Sequence, residues 1–130
     1  MATIVIVEDN PDNMKLFRAV LLRAGHRIVE FTSGVGLVDG LAGIEPDVVL
    51  LDIQLPDRDG MAVLGDLRLR FGASLMVVAL TAHVLPADQT GVMTAGFDGF
   101  IAKPIQVSEF ASQVAALIDA GRGRRPDTIL

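Results

Sequence analysis

The chain has 130 residues, a formal net charge of −5 at pH 7 and no cysteine. That length fits one domain, and without cysteine there is no disulfide framework, thiolate metal site or cysteine nucleophile. The negative charge argues against nucleic acid as the main partner. No apolar run approaches the roughly 18 residues of a membrane span and no secretory signal is evident, so we expect a cytoplasmic protein.

Short apolar runs alternate with segments of helical periodicity along the chain. The runs predict strands at residues 3–7, 27–31, 48–52, 76–80 and 99–102. Helices are predicted from Pro11 with Asn10 as its cap, over 34–41, over 61–71, over 86–95, and over a last segment that ends near Gly121. Alternation of this kind predicts a parallel sheet with right-handed crossovers and helices on both faces.

Asp52 ends one of these strands, directly after the four apolar residues 48–51. A continuous apolar run bounded by polar residues is typical of a strand buried on both faces. Open α/β sheets place their ligands at the carboxyl ends of the parallel strands. We therefore interpret Asp52 as the reactive group of this protein.

Other polar residues follow the neighbouring strands. Glu8 and Asp9 come after the first strand, Thr81 ends the fourth and Lys103 follows the fifth. Because the carboxyl ends of parallel strands share one edge, these side chains are expected to converge in one crevice with Asp52. Any one of them is common as a loop residue or helix cap, but the full set indicates a site.

The residue types in this crevice suit metal-assisted phosphoryl chemistry. Asp9 and Asp52, together with oxygens such as a backbone carbonyl and water, fit Mg²⁺, and Glu8 would act on the metal through water. Lys103 provides a point charge and Thr81 a hydroxyl, and both fit a phosphoryl oxygen.

Five motifs then make the pattern specific. They are Val7-Glu8-Asp9-Asn10, Leu51-Asp52-Ile53-Gln54-Leu55-Pro56, Asp59-Gly60, Leu80-Thr81-Ala82 and Lys103-Pro104. With this order and spacing, over about residues 3 to 120, the chain resembles the receiver domains of two-component response regulators, the family of CheY and DivK. The run Asp9-Asn10 with Asn13, and the run from Ile101 to Ile105, are most similar to DivK-like single-domain regulators and hybrid-kinase receivers.

The resemblance implies a doubly wound, flavodoxin-like fold with strand order 2-1-3-4-5. Asp52 would accept a phosphoryl group from a histidine kinase or phosphotransfer protein, and Asp9, Asp52 and the Gln54 backbone carbonyl would hold Mg²⁺ or Mn²⁺. The Lys103–Pro104 peptide bond would be cis. The chain would catalyse its own phosphorylation and dephosphorylation, and no turnover of a separate substrate is expected.

The resemblance also implies a conformational switch. The Thr81 hydroxyl would move toward the phosphoryl group, and Phe100 would turn inward into the vacated space. The surface around residues 84–120 would change and bind a downstream protein. Gln54 and His83, each two residues beyond a key residue, would tune the lifetime of the phosphorylated state.

Three other classes of protein share part of this pattern. Gly34-x-Gly36 before a helix is weak evidence for a dinucleotide site, because Asp39 stands where the third glycine belongs. An aspartyl-phosphate hydrolase also combines Asp, Mg²⁺, Thr and Lys, but it places its nucleophile after the first strand. A pseudo-receiver would lack the acidic pair, the acceptor or the lysine.

The last alternatives concern the role within a signalling pathway and the extent of the domain. A phosphate sink or a phosphorelay intermediate stays open beside a signalling regulator. Residues 1–120 are predicted to form the receiver domain and 121–130 a disordered basic tail. No DNA-binding output segment is recognised.

Overall fold

The described strands form one parallel sheet. A computed structural model describes residues 2–55, 59–82 and 86–124, with the backbone alone for residues 86–89 and 122–124. The strands are β1 (Thr3–Val7), β2 (Arg27–Phe31), β3 (Val48–Asp52), β4 (Val77–Thr81) and β5 (Gly99–Ala102). Their order is β2-β1-β3-β4-β5, and every neighbouring pair is parallel. This is the doubly wound α/β fold that the resemblance implies.

Helices cover both faces of this sheet. They are α1 (Pro11–Arg23), α2 (Leu37–Gly40), α3 (Gly60–Phe71), α4 (Pro86–Ala95) and α5 (Val107–Arg124). One apolar cluster contains buried residues of α1 and α5, and a second contains buried residues of α2, α3 and α4. None of the described helices combines the length and the apolar character that crossing a lipid bilayer requires.

Alternation along the strands divides the core between the two clusters. In β1, Ile4 and Ile6 pack with α1 and α5, whereas Val5 and Val7 pack with the other helices. All five residues of β3 and of β4 are buried. Because successive side chains point to opposite faces, a strand between two helical layers is apolar up to its polar last residue at the edge of the sheet. That requirement explains why these strands read as continuous apolar runs.

Two helices differ from their sequence-based predictions. The predicted helix over 34–41 is reduced to Leu37–Gly40, because Gly36 precedes it with a φ of 77° that a right-handed helix cannot contain. Conversely, α5 continues past Gly121 to Arg124. A Cβ at position 121 would lie 3.2 Å from Met76 Sδ, so this glycine allows α5 to pack closely on the sheet. Residues 125–130, the rest of the predicted tail, lie outside the described residues.

Arg68 joins three segments at the end of the sheet opposite the crevice. Its guanidinium donates to the carbonyls of Gly72 and Leu75, which precede β4. It also donates to the Gly96 carbonyl at 2.8 Å and to Asp98 Oδ2 at 2.9 Å. The same Asp98 oxygen accepts from the backbone N–H of Val77 at 2.8 Å. The C-terminal end of α3 is thereby tied to the turn between α4 and β5.

Candidate functional site

The polar residues predicted to converge do so at the carboxyl ends of the central strands. Glu8 and Asp9 follow β1, Asp52 is the last residue of β3, and Thr81 is the last residue of β4. Lys103 follows β5, and its backbone N–H donates to the Thr81 carbonyl at 2.7 Å. The parallel register alone brings these ends together, because Val7 pairs with Leu51 and Asp52 pairs with Leu80.

Three carboxylates form the acidic side of this crevice. Glu8, Asp9 and Asp52 each offer an oxygen, and these oxygens lie within 4.8 Å of one another. Glu8 and Asp52 are buried, with 1% and 3% of their surface exposed, while Asp9 is exposed. Carboxylate oxygens are the donors that Mg²⁺ prefers, and one exposed member leaves the cluster open to an ion from solvent.

Lys103 provides the positive charge of the crevice. Its Nζ lies 2.9 Å from Asp52 Oδ2 and 3.0 Å from Glu8 Oε1. Burial lowers the pKa of Lys103, but its hydrogen bonds to Asp52 and Glu8 and their charges outweigh this effect and raise that pKa overall. The ammonium is therefore retained, and it faces the carboxylate that we interpret as the phosphoacceptor. The Lys103–Pro104 peptide bond is cis, as the resemblance implies.

Glu8 has a perturbed pKa in this arrangement. Its pKa is raised, first by burial and then by the adjacent Asp52 carboxylate, while Lys103 and the N–H of Asn10 act in the opposite direction. Three carboxylates beside one ammonium leave an excess of negative charge. A divalent cation would relieve that excess, so the residues present fit Mg²⁺.

The residues after β3 bind the Asp52 carboxylate through a backbone N–H. The backbone N–H of Gln54 donates to Asp52 Oδ1 at 2.8 Å, and Gln54 forms an isolated bridge with Asp59. The N–H of Gly60 donates to the Ile53 carbonyl at 3.1 Å. A Cβ on Gly60 would overlap the backbone of Ile53. The Asp59-Gly60 motif therefore closes this loop, a role that the motif alone did not reveal.

The start of α1 holds Glu8 in a similar way. Asn10 caps this helix as predicted, and its Oδ1 accepts from the N–H groups of Asp12 and Asn13 at 2.9 and 3.0 Å. The N–H of Asn10 donates to Glu8 Oε2 at 3.2 Å. Asn13 Nδ2 lies 3.5 Å from Glu8 Oε1. Asn13 belongs to a predicted motif, but its contact with Glu8 was not predicted. The spacing could have indicated it, because the third residue after a helix cap lies close to the residues before the cap.

The remaining predicted site residues lie at different depths. Thr81 is buried with 1% of its surface exposed. Phe100 is half-buried and packs against the cluster of α2, α3 and α4. The side chain of Gln54 is exposed, and its carbonyl stays a predicted metal ligand. His83 lies outside the described residues.

A groove of about 260 Å³ opens beside Lys103. Residues of α1, the residue after Thr81 and the segment after β5 form its walls; they are Asn13, Leu16, Phe17, Ala82, Lys103, Pro104 and Ile105. The walls are mainly apolar, and the ammonium is the charged group among them. The groove therefore reaches the crevice on the side of Lys103.

Taken together, the fold and the site define a flavodoxin-like α/β protein with a cluster of three carboxylates at the strand ends that could hold a metal ion. The family model of the response regulator receiver domain matches residues 4–115. The chain therefore belongs to the response regulator receiver domain family, as the motifs predicted.

Two curated relatives differ in how much of their length this chain covers. It is 33% identical over 120 residues to the polar-differentiation response regulator DivK of Brucella ovis, covering 89% of this chain and 95% of that protein. It is 31% identical over 118 residues to the transcriptional regulatory protein KdpE of Mycobacterium tuberculosis. That match covers 91% of this chain but 51% of KdpE, so the chain spans about half the length of that relative.

Solved structures show the same fold. The receiver domain of a Pseudomonas aeruginosa sensor histidine kinase, with a magnesium ion coordinated in its active-site cleft, is 29% identical with a TM-score of 0.80, covering 91% of this chain and 98% of that one. A CheY-like receiver domain protein from Methanospirillum hungatei is 19% identical with a TM-score of 0.83, covering 96% and 99%. The second likeness concerns the fold alone.

Proposed function

We propose that this chain is a single-domain response regulator whose Asp52 accepts a phosphoryl group from a phosphohistidine. The donor would be a histidine kinase or a histidine phosphotransfer protein in the cytoplasm. One observation carries the proposal: the Lys103 ammonium lies 2.9 Å from Asp52 and 3.0 Å from Glu8, beside the exposed carboxylate of Asp9. A nucleophilic carboxylate, an acidic cation site and a fixed ammonium are the parts that phosphoryl transfer to aspartate needs.

The transfer exchanges one bond to phosphorus for another. An Asp52 carboxylate oxygen forms a bond to phosphorus while the bond from phosphorus to the donor imidazole nitrogen breaks. The imidazole keeps the electron pair and takes up a proton. Because such a reaction depends on in-line positioning and on charge stabilisation, Lys103 and the Thr81 hydroxyl would serve the phosphoryl oxygens.

Asp9, Asp52 and the backbone carbonyl of Gln54 would hold Mg²⁺, or Mn²⁺ in its place, and Glu8 would act through water. Bound at this position, the ion supplies positive charge that offsets the charge of the phosphoryl group. The two oxygens of Asp52 have different partners. The Gln54 N–H donates to Oδ1 at 2.8 Å, and Lys103 Nζ lies beside Oδ2. The donor protein would approach along the groove beside Lys103.

Phosphorylation would act through a switch that ends at a protein-binding surface. The added charge of roughly −1.5 to −2 would draw the Thr81 hydroxyl inward, and the half-buried Phe100 would follow. The surface formed by α4, β5 and α5 would change and bind a downstream protein. Gln54 and His83 would set how long this state lasts. Return of the phosphoryl group to a phosphotransfer protein, measured with purified partners, separates a relay or sink from a signalling regulator.

Labelling with acetyl phosphate tests the chemical step directly. We expect the wild-type chain to incorporate phosphoryl groups up to one per chain, only with Mg²⁺ present, and Asp52→Asn to abolish incorporation. Intact-mass spectrometry measures the stoichiometry, and mapping of the acyl phosphate identifies the residue. Asp12→Asn, which changes an exposed carboxylate of α1, is the matched control and should be labelled like the wild type.

Two outcomes would contradict the proposal. Labelling of Asp52→Asn at an undiminished level would assign the phosphoacceptor elsewhere. Continuous turnover of a simple phosphate ester, instead of stoichiometric labelling, would favour the aspartyl-phosphate hydrolase.

A further inference from the structure

Asn13 has a contact that the proposed chemistry does not use. It lies in the first turn of α1, where its backbone N–H donates to Asn10 Oδ1 at 3.0 Å. Its half-buried side chain lies on the wall of the groove beside Lys103. The amide Nδ2 lies 3.5 Å from Glu8 Oε1. This side chain therefore stands between the approach of the phosphodonor and the carboxylate cluster.

Glu8 Oε1 is approached by two donors of unequal strength. Lys103 Nζ donates to this oxygen at 3.0 Å and also donates to Asp52 Oδ2 at 2.9 Å. The contact from Asn13 is about 0.5 Å longer than an ordinary N–H···O hydrogen bond. A charged donor forms the shorter and stronger bond, so the ammonium dominates this oxygen in the metal-free arrangement.

A phosphoryl group on Asp52 would change which of these two donors binds Glu8 Oε1. The ammonium has three N–H donors and already binds both Glu8 and Asp52, and the added negative charge would draw it toward the phosphoryl oxygens and weaken its bond to Glu8 Oε1. Glu8 is only 1% exposed, so apart from water on the metal its donors are neighbouring groups of the protein. A buried acceptor without a donor destabilises the state that contains it. A neighbouring donor that binds Glu8 Oε1 more closely in that state would therefore stabilise the phosphorylated protein.

We propose that Asn13 is a positioning residue that binds Glu8 Oε1 when Lys103 turns to the phosphoryl group. The amide needs to move only about 0.5 Å to reach ordinary hydrogen-bonding distance. It holds Glu8 in place without adding charge, and so favours the phosphorylated arrangement over the metal-only one. This inference rests on the proposed function, because it requires a phosphoryl group on Asp52.

Separate measurements of metal binding and phosphoryl-mimic binding test this role. Calorimetry with Mg²⁺ alone, followed by titration of the Mg²⁺-loaded protein with beryllofluoride, gives two affinities, and fluorine NMR shows the bound mimic. We expect Asn13→Ala to weaken beryllofluoride binding about tenfold, because Glu8 Oε1 then loses the Asn13 amide as a donor. Affinity for Mg²⁺ alone should change less than about twofold, because Lys103 still binds Glu8 in that state.

Two further variants separate the amide donor from its surroundings. Asn13→Asp keeps the shape but replaces the donor by a carboxylate, so it should weaken beryllofluoride binding at least as much as Asn13→Ala. The added negative charge should also tighten Mg²⁺ binding. Lys15→Ala, on an exposed residue of the same helix, is the control and should match the wild type in both affinities.

The outcomes distinguish this role from a structural one and from failure of the proposed function. Equal losses of Mg²⁺ and beryllofluoride affinity in Asn13→Ala would indicate that Asn13 merely shapes the site, and would overturn the inference. Wild-type beryllofluoride affinity in Asn13→Asp would overturn it as well. If the wild-type chain itself neither binds beryllofluoride nor is labelled by acetyl phosphate, the proposed function fails, whatever the variants do.

Discussion

At the scale of single residues, Glu8 shows how strongly the crevice perturbs its own groups. The carboxylate is buried beside a second carboxylate and shares one ammonium with it. Burial is the main cause that raises its pKa above the ordinary value of 4.5. Such a group is poised to exchange a proton for a metal ion, since a divalent cation favours the ionised form.

The raised pKa of Glu8 predicts a pH dependence of stability in metal-free protein. Because the folded state holds this proton more tightly than the unfolded state, the unfolding free energy should fall as pH rises from about 4.5 through the folded pKa. Glu8→Gln, which cannot ionise, should lose this decline. Urea unfolding across that pH range, in the presence of a chelator, measures both curves. The prediction fails if the two proteins show the same slope.

At the scale of elements, the turn from β3 into α3 depends on the absence of a side chain at Gly60. The helix begins at this residue, directly after its cap Asp59, whose Oδ1 accepts from the N–H of Met61 at 3.0 Å. The close approach places the start of α3 directly against Ile53, the residue that follows Asp52. The glycine at the first position of this helix is therefore explained by contact between two backbones.

Gly60→Ala should destabilise the protein by about 2–3 kcal/mol, because the new Cβ overlaps the Ile53 backbone and the loop must move. Gly65→Ala, in the same helix with nothing within 4 Å of the new Cβ, is the matched control. It should be neutral or stabilising by up to about 1 kcal/mol, since alanine favours helix. Chemical denaturation of both variants measures the difference, and equal destabilisation would contradict the account.

The contacts of Arg68 make a second prediction at this scale. Its ion pair with Asp98 is largely buried, with 21% and 9% of the two side chains exposed. Arg68→Ala should cost about 2–3 kcal/mol, because it removes the guanidinium that binds three backbone carbonyls and the largely buried Asp98 carboxylate. Arg70→Ala, on an exposed arginine of the same helix that lies over the Phe71 ring, should cost less than about 1 kcal/mol. Comparable losses in the two variants would refute the special role of Arg68.

At the scale of the whole molecule, the Arg68 contacts that anchor α4 and the crevice around Asp52 lie at opposite ends of the sheet. Arg68 fixes Gly96 and Asp98 to the end of α3, so the C-terminal boundary of α4 is held. Asp52, Thr81 and Lys103 lie at the opposite end of the sheet. A signal that starts at the phosphoryl group would therefore reach α4 through β4 and β5, and we expect the larger response at the end of α4 nearer the crevice.

Hydrogen exchange with and without beryllofluoride and Mg²⁺ measures this response. We expect protection to change over α4 (Pro86–Ala95) and β5 (Gly99–Ala102), with a smaller change at the anchored turn at residues 96–98. The segment from β2 to α2, which lies at the other side of the sheet, provides the internal control. Identical exchange over α4 and β5 in both states would reject the proposed switch.

Most strands and helices of this protein could be predicted from its sequence. Apolar runs buried between two helical layers cannot alternate with polar residues, so β1, β3 and β4 were evident, and their polar ends marked the crevice. The predicted lengths of two helices were wrong. Helix α2 is shorter than predicted because Gly36 adopts a left-handed conformation. Helix α5 is longer than predicted, and it continues through Gly121, which packs on Met76. Both errors arise from glycines, whose role depends on backbone conformation and neighbours rather than on periodicity.

By itself, the sequence determined the strand and helix order, the family and the identity of the residues at the strand ends, because periodicity and motif spacing are local properties. Only the tertiary structure decided that Lys103 joins Asp52 to Glu8, that Asn13 lies beside the same oxygen, and that Arg68 anchors the end of α4. These contacts connect residues from separate elements, over 95 positions in the case of Lys103 and Glu8. Such distances and burial follow from how the helices pack on the sheet, which no local pattern specifies.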